Sequence, residues 1–230
     1  MTSVMETGTG DDDNGLIDPL TRRLTTQSIR RVFKVTYNDI QGTGAFYEVF
    51  DTSNSKRWLF ITCNHVAPTN SLQDILKFMK IVFPKDNSLL EFKIEHLLCC
   101  WTWKCCCIDA TVIELSTAGE KYLRDLNVSF LKVSDAKVKD RVSILEISDG
   151  QPTWGYIKEV KESKVYYHME TAAVSVGAPV IDQNCRAFAI NRTVYATNDG
   201  NLPTEYPDRP RMAIALREII KAYFNESEIL

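Results

Sequence analysis

The chain has 230 residues, of which 44% are hydrophobic, and its formal charge at neutral pH is −3. This hydrophobic fraction suffices for the core of one large domain or two small ones, so a folded globular protein is predicted. The slightly acidic balance gives no electrostatic reason to bind nucleic acid or an anionic membrane surface, and neither partner is expected.

The first 27 residues are polar, lack aromatic side chains and include an acidic run at Asp11–Asp13. Such a composition cannot sustain a core, and it predicts a mobile acidic N-terminal arm (1–27) before a folded domain at 28–230. The arm has neither the basic nor the apolar region of a secretory signal. No apolar run elsewhere reaches the length of a membrane span, so an intracellular, cytoplasmic protein is expected.

The cysteine pattern also favours an intracellular location. The chain has seven cysteines, and five of them lie between Cys99 and Cys107. Adjacent thiols cannot all pair with good disulfide geometry, which favours a reducing environment. The spacings in this cluster do not match the paired knuckles of a structural zinc site. We therefore predict neither a metal nor a cofactor, and the role of the cluster stays open.

From Arg30 onward, about eleven short runs rich in valine, isoleucine and aromatic residues alternate with turn sequences such as YNDIQGTG. This alternation is typical of antiparallel strands, and without βαβ spacing it predicts a sandwich or a pair of barrels. Helix signals are limited to SLQDILKFM, to STAGEKYLRDL with Ser116 as its cap, and to Met212–Phe224, where apolar residues share one face. The predicted fold class is all-β with a C-terminal helix.

Three segments contain candidate catalytic residues, in the order ITCNHVAP, IDATVIEL and VSVGAPV. The first carries His65 just after a strand, the second puts Asp109 at the head of a strand, and the third holds a serine beside a glycine turn. Over about residues 30–224 the chain resembles the trypsin-like serine peptidase superfamily (PA clan). That family has a histidine after GTGF…ITAAHV, an aspartate in DIAVLKL and a serine in GxSGxPV. The resemblance implies a trypsin-like double antiparallel β-barrel.

The resemblance also implies roles for single residues. A serine hydroxyl is a weak nucleophile, so a histidine must take its proton and a carboxylate must fix the tautomer of that histidine. These roles fall on Ser175 as nucleophile, His65 as general base and then acid, and Asp109 as the residue that orients His65. The N–H groups of Val176 and Gly177 would form the oxyanion hole.

The third segment departs from the family pattern in its register. Aligned on Pro179, Gly177 matches the glycine after the nucleophile, Val176 falls on the nucleophile itself, and Ser175 lies one position early. Val174 falls on the leading glycine, and β-branched residues tolerate a strained turn poorly. Val176 is therefore a degenerate nucleophile position, unless a one-residue bulge carries the serine into place.

These two registers predict two functions. In the favoured one, the chain is a catalytically impaired pseudoprotease that binds an extended peptide or a protein. In the other, it is an active intracellular serine endopeptidase that uses Ser175, His65 and Asp109. The base of the specificity pocket falls on Glu170 in the first register and on Met169 in the second, so the sequence leaves both the activity and the peptide preference open.

Overall fold

The computed structural model describes residues 31–69, 71–85, 88–92, 99–105, 108–145, 154–169, 176–192 and 211–227. The predicted arm at 1–27 lies outside these ranges, as do Glu170, Val174, Ser175 and the last two cysteines of the Cys99–Cys107 cluster. Within the described ranges, none of the helices is long and apolar enough to cross a membrane.

Eight strands in the first half of the chain form one sheet. They are β1 (Val32–Tyr37), β2 (Ile40–Phe50), β3 (Lys56–Cys63), β4 (Met79–Lys85), β5 (Ser88–Phe92), β6 (Cys99–Cys105), β7 (Ala110–Leu115) and β8 (Leu131–Lys132). Their hydrogen-bonded order is β5-β4-β1-β2-β3-β7-β6, and β8 pairs with β2. The β2–β8 pair is parallel, whereas β3 is antiparallel to both of its neighbours.

Six strands in the second half close into a barrel. They are β9 (Arg141–Ile144), β10 (Trp154–Lys161), β11 (Lys164–Met169), β12 (Pro179–Asp182), β13 (Ala187–Asn191) and β14 (Arg211–Ala215). The order around the barrel is β10-β11-β14-β13-β12-β9. Closure leaves no unpaired edge strand, which removes the usual route to edge-to-edge aggregation.

Two of the three predicted helices are found as expected. The helix α1 (Leu72–Phe78) begins after Ser71, whose hydroxyl accepts a hydrogen bond from the N–H of Asp74 at 3.3 Å. The helix α2 (Thr117–Asp125) begins after Ser116, whose hydroxyl accepts from the N–H of Gly119 at 3.1 Å. Each cap satisfies an N–H group that has no partner within its own helix.

The third helix, α3 (Leu216–Ser227), begins later than predicted. Met212–Ala215 lies in β14, where Ala213 pairs with both β11 and β13. The prediction that the helix starts at Met212 is therefore wrong. Pairing on both sides within a closed barrel overrides the helical spacing of these apolar residues.

Each half has its own apolar core. In the first, the Phe46 ring packs against Phe33 at 4.9 Å and against Phe60 at 4.8 Å between ring centroids. In the second, Ile157, Tyr167 and several barrel residues are fully buried. The predicted all-β class with a C-terminal helix is confirmed.

Two buried tyrosines differ in how their hydroxyl groups are satisfied. The hydroxyl of Tyr167 donates to Oδ1 of Asn191 at 2.7 Å. The hydroxyl of Tyr47 is buried and has no hydrogen-bond partner among the described residues, and burial raises the pKa of the Tyr47 phenol well above its usual range. An unpaired buried hydroxyl costs free energy, whereas a paired one contributes a modest gain.

We therefore expect Tyr47→Phe to leave the free energy of unfolding unchanged or to raise it by about 1 kcal/mol. The matched change Tyr167→Phe should lower the free energy of unfolding by about 1 kcal/mol, since it removes the hydrogen bond from the Tyr167 hydroxyl to Oδ1 of Asn191. Urea unfolding followed by tryptophan fluorescence measures both values. Equal losses in the two variants would contradict this assignment.

Candidate functional site

His65 and Asp109 meet because two strand ends are adjacent. The last residue of β3, Cys63, is paired with Ala110, the first residue of β7. His65 lies two residues beyond the end of β3, and Asp109 immediately precedes β7. The N–H of Asn64 also donates to the carbonyl of Asp109 at 3.1 Å, which holds the two chain segments together.

The side chains of His65 and Asp109 form a hydrogen-bonded pair. Nδ1 of His65 lies 3.0 Å from Oδ1 and 2.9 Å from Oδ2 of Asp109, and the backbone N–H of His65 donates to Oδ1 at 3.1 Å. Asp109 is buried, with 5% of its side chain exposed, whereas 42% of the His65 side chain is exposed. A carboxylate facing Nδ1 favours the tautomer with its proton there. The neutral ring therefore presents Nε2 as a proton acceptor.

The turn at Val176 and Gly177 is bonded to both halves of the molecule. The carbonyl of Val176 accepts from the N–H of Thr43 in β2 at 2.7 Å, and the N–H of Gly177 donates to the carbonyl of Asn191 in β13 at 2.8 Å. Gly177 has a φ of +83°, and a Cβ there would lie 2.1 Å from the Thr43 carbonyl oxygen. Only glycine fits this conformation and this close approach.

Gly42 shows that this turn lies beside the turn that carries His65. A Cβ added to Gly42 would meet the Val66 side chain at 2.5 Å and the Val176 carbonyl oxygen at 3.2 Å. Val66 directly follows His65 in the chain. The structure thus brings His65, Asp109 and the Val176 turn to one place between the two halves, while Ser175, just before Val176, lies outside the described residues.

The predicted oxyanion hole, formed by the N–H groups of Val176 and Gly177, stays a prediction, and one contact bears on its Gly177 part. The N–H of Gly177 already donates to the Asn191 carbonyl, so it is not available to a developing oxyanion. The alignment could not foresee this, because β13 supplies the acceptor from a later part of the chain. The role of the Val176 N–H stays a prediction.

Arg192 is a site residue that the sequence did not single out. Its Nε lies 2.8 Å from Oδ2 of Asp109, yet its N–H is not directed at an acceptor, so the contact is an ion pair without an aligned hydrogen bond. Arg192 follows the end of β13, and only barrel closure brings it to the carboxylate. The side chain places a fixed positive charge on the same carboxylate that holds His65.

Cys63 is a second residue whose place the sequence did not indicate. It is fully buried, its Sγ lies 3.5 Å from the carbonyl oxygen of Asn191, and it is not in a disulfide. Burial raises the pKa of the Cys63 thiol well above its usual range, and the charge of Asp109 adds to the rise. The thiol is therefore protonated at neutral pH and is neither a nucleophile nor a ready metal ligand.

Ligand atoms of Cys63, His65 and Asp109 all lie within 4.8 Å of one another, as in a metal site. Two features argue against that use. A cation would compete with the Arg192 guanidinium for Asp109, and it would displace the hydrogen bond at His65 Nδ1. These contacts fit a hydrogen-bonded pair better than a metal centre, and the absence of a metal stays a prediction.

The raised pKa of Cys63 predicts a pH dependence of stability. A thiol that stays protonated in the folded state contributes fully below its ordinary pKa of 9.0 and progressively less as pH rises above it, since the unfolded chain then ionises. The loss from this thiol reaches at most about 1.4 kcal/mol per pH unit. We expect Cys63→Ala to show a shallower fall in the free energy of unfolding above about pH 9. Urea unfolding across that range measures the slope, and identical slopes would contradict the assignment.

Comparison with known proteins extends these observations. No protein-family profile matches the chain, and no curated protein matches its sequence. Solved structures do match its fold. The crystal structure of Deg5 aligns with a TM-score of 0.57 at 9% identity, over 88% of this chain and 91% of that one.

Two forms of Rv3671c align as well. An inactive form from M. tuberculosis H37Rv, with a serine-to-alanine substitution, gives a TM-score of 0.54 at 14% identity, over 97% of this chain and 98% of that one. The active form of the Rv3671c protease from M. tuberculosis gives the same TM-score and identity, over 95% and 92% of the two chains. The predicted resemblance is confirmed at the level of the fold: the chain has the trypsin-like fold that these proteases share.

Proposed function

We propose that this chain is a pseudoprotease, which keeps the peptidase frame but has a valine at the nucleophile position. The observation that carries this proposal is the anchoring of the Val176 turn. Thr43 bonds the carbonyl of Val176, and Asn191 bonds the N–H of the positive-φ glycine that follows. In the family pattern, the residue directly before that glycine is the attacking serine.

The chemistry follows from the side chain. Valine has no proton to give to His65 and no lone pair with which to attack a carbonyl, so a valine at this position forms no acyl-enzyme. The His65–Asp109 pair then has no nucleophile to activate. Because the anchoring bonds of the turn are made by main-chain groups, the change of side chain leaves the fold intact.

The role proposed for such a frame is binding. An extended peptide or a protein segment would bind beside His65 by pairing with a strand edge, and it would not be cleaved. The buried thiol of Cys63, which is not in a disulfide, fits the intracellular location expected from the sequence.

One observation favours the alternative of an active serine endopeptidase. The His65–Asp109 pair has the contacts that general-base catalysis needs, at both the side chain and the backbone N–H. In that case Ser175 would be the nucleophile, and a bulge before Val176 would bring it to Nε2 of His65. The two proposals differ in which position of the turn faces the histidine.

A fluorophosphonate probe, which labels activated serines, separates the proposals. We expect no labelling of the wild type, and labelling of Val176→Ser that is lost when His65→Ala is added, because a serine placed there meets the His65 base. Val176→Ala is the matched control, since it shortens the same side chain without supplying a hydroxyl. The double variant Ser175→Ala, Val176→Ser should still be labelled.

The opposite pattern would overturn the pseudoprotease. It consists of a wild type that is labelled and that loses labelling in Ser175→Ala and in His65→Ala. Circular dichroism on each variant shows whether the protein is folded, so that missing labelling reports on the site alone.

A further inference from the structure

A second concave site lies away from His65 and Asp109. It is a groove of about 780 Å³ where the end of β2, the segment after β8 and the helix α3 meet. Its apolar wall includes Phe50, Val133, Ile220 and Phe224. Phe50 is 54% exposed, which is high for a phenylalanine and leaves apolar surface open to a ligand.

The carboxylates in this groove are already neutralised. Asp51 accepts hydrogen bonds from its own turn, chiefly from Ser53, and these hold the pKa of Asp51 at about 2. Each of three lining acids also has a cation as its partner. The pairs are Glu48 with Lys56 at 3.2 Å, Asp51 with Arg57 at 3.0 Å, and Asp135 with Arg217 at 3.0 Å.

Three cations of the groove have no such partner. Lys132, Arg186 and Lys221 line it, are exposed, and form no ion pair with the residues that the structure describes. The groove therefore combines an apolar wall with uncompensated positive charge. A peptide that carries both acidic and apolar side chains is the complementary ligand.

The chain itself contains such a segment upstream of β1. Residues 11–20 read DDDNGLIDPL, with four aspartates beside two leucines and an isoleucine. This segment combines negative charge, which complements the cations of the groove, with apolar side chains that match its apolar wall. We propose that residues 11–20 of this chain dock in the groove formed by β2, β8 and α3.

The strand pairing places the groove within reach of that segment. Val32 starts β1 opposite Ala45, and β2 runs on from Ala45 to Phe50 at the groove. The chain therefore enters β1 from the Phe50 end of β2, which lies about 17 Å beyond Ala45. About 18 residues join Asp13 to Val32, and they span up to about 60 Å, so the connection is long enough.

Zero-length carbodiimide cross-linking of the full chain, read by mass spectrometry, tests the proposal. It joins carboxylates and lysines that are in contact. We expect Asp11–Asp13 and Asp18 to cross-link to Lys132 and Lys221. Lys139, just before β9, and Lys158, in β10, are both exposed; they are the matched controls and should give little product. Equal yields at all four lysines, or no product at the first two, would overturn docking.

Isotope mixing identifies the occupant. A mixture of labelled and unlabelled protein should give cross-links within single chains. Products that join a labelled chain to an unlabelled one would instead assign the groove to a second copy, which would contradict the proposal as stated.

Limited proteolysis provides an independent test of docking. An endoproteinase that cuts before aspartate should cleave at Asp11–Asp13 about tenfold faster when Lys132, Arg186 and Lys221 are all changed to glutamine, because three exposed ion pairs together contribute roughly that factor. The control variant, Lys139→Gln with Lys158→Gln, should be cut at the wild-type rate. Equal rates in both variants would contradict docking.

Discussion

The site depends on the interactions of the Asp109 carboxylate. It is buried, it accepts from the backbone N–H of His65, and it lies within hydrogen-bond distance of Nδ1 on the same residue. The pairing of Cys63 with Ala110 sets this geometry, because it places the end of β3 beside the start of β7. A buried carboxylate is stable only with such partners, and Arg192 adds a positive charge at 2.8 Å. The contacts that hold His65 in place thus also satisfy a buried charge.

Main-chain contacts likewise explain how the fold would tolerate the proposed valine at the nucleophile position. The Val176 turn is held by main-chain bonds to Thr43 and Asn191, one in each half of the molecule. Gly177 is fixed by sterics, since a Cβ would lie 2.1 Å from the Thr43 carbonyl oxygen. Neither constraint involves the Val176 side chain. The main-chain bonds that hold the turn therefore do not dictate which side chain stands at position 176.

Much of this arrangement could be predicted from the sequence, because it depends on local signals. Strand alternation, the serine caps of α1 and α2, and a histidine and an aspartate at strand ends are all readable within a few residues. The features that could not be predicted depend on contacts between residues that are distant in the chain. The Gly177 N–H is taken by Asn191, Arg192 reaches Asp109 only after barrel closure, and the start of α3 is delayed because Ala213 pairs on both sides. None of these contacts can be predicted from the residues next to it in the sequence.

We propose that Val176, and not Ser175, occupies the position facing the histidine. The most direct measurement is the distance from Ser175 Oγ to Nε2 of His65 in a crystal structure. For a pseudoprotease we expect a separation well beyond hydrogen-bond reach, with the Val176 side chain nearer to the histidine ring. A separation of about 3 Å, with an N–H group directed at the same point, would contradict it and identify a working nucleophile.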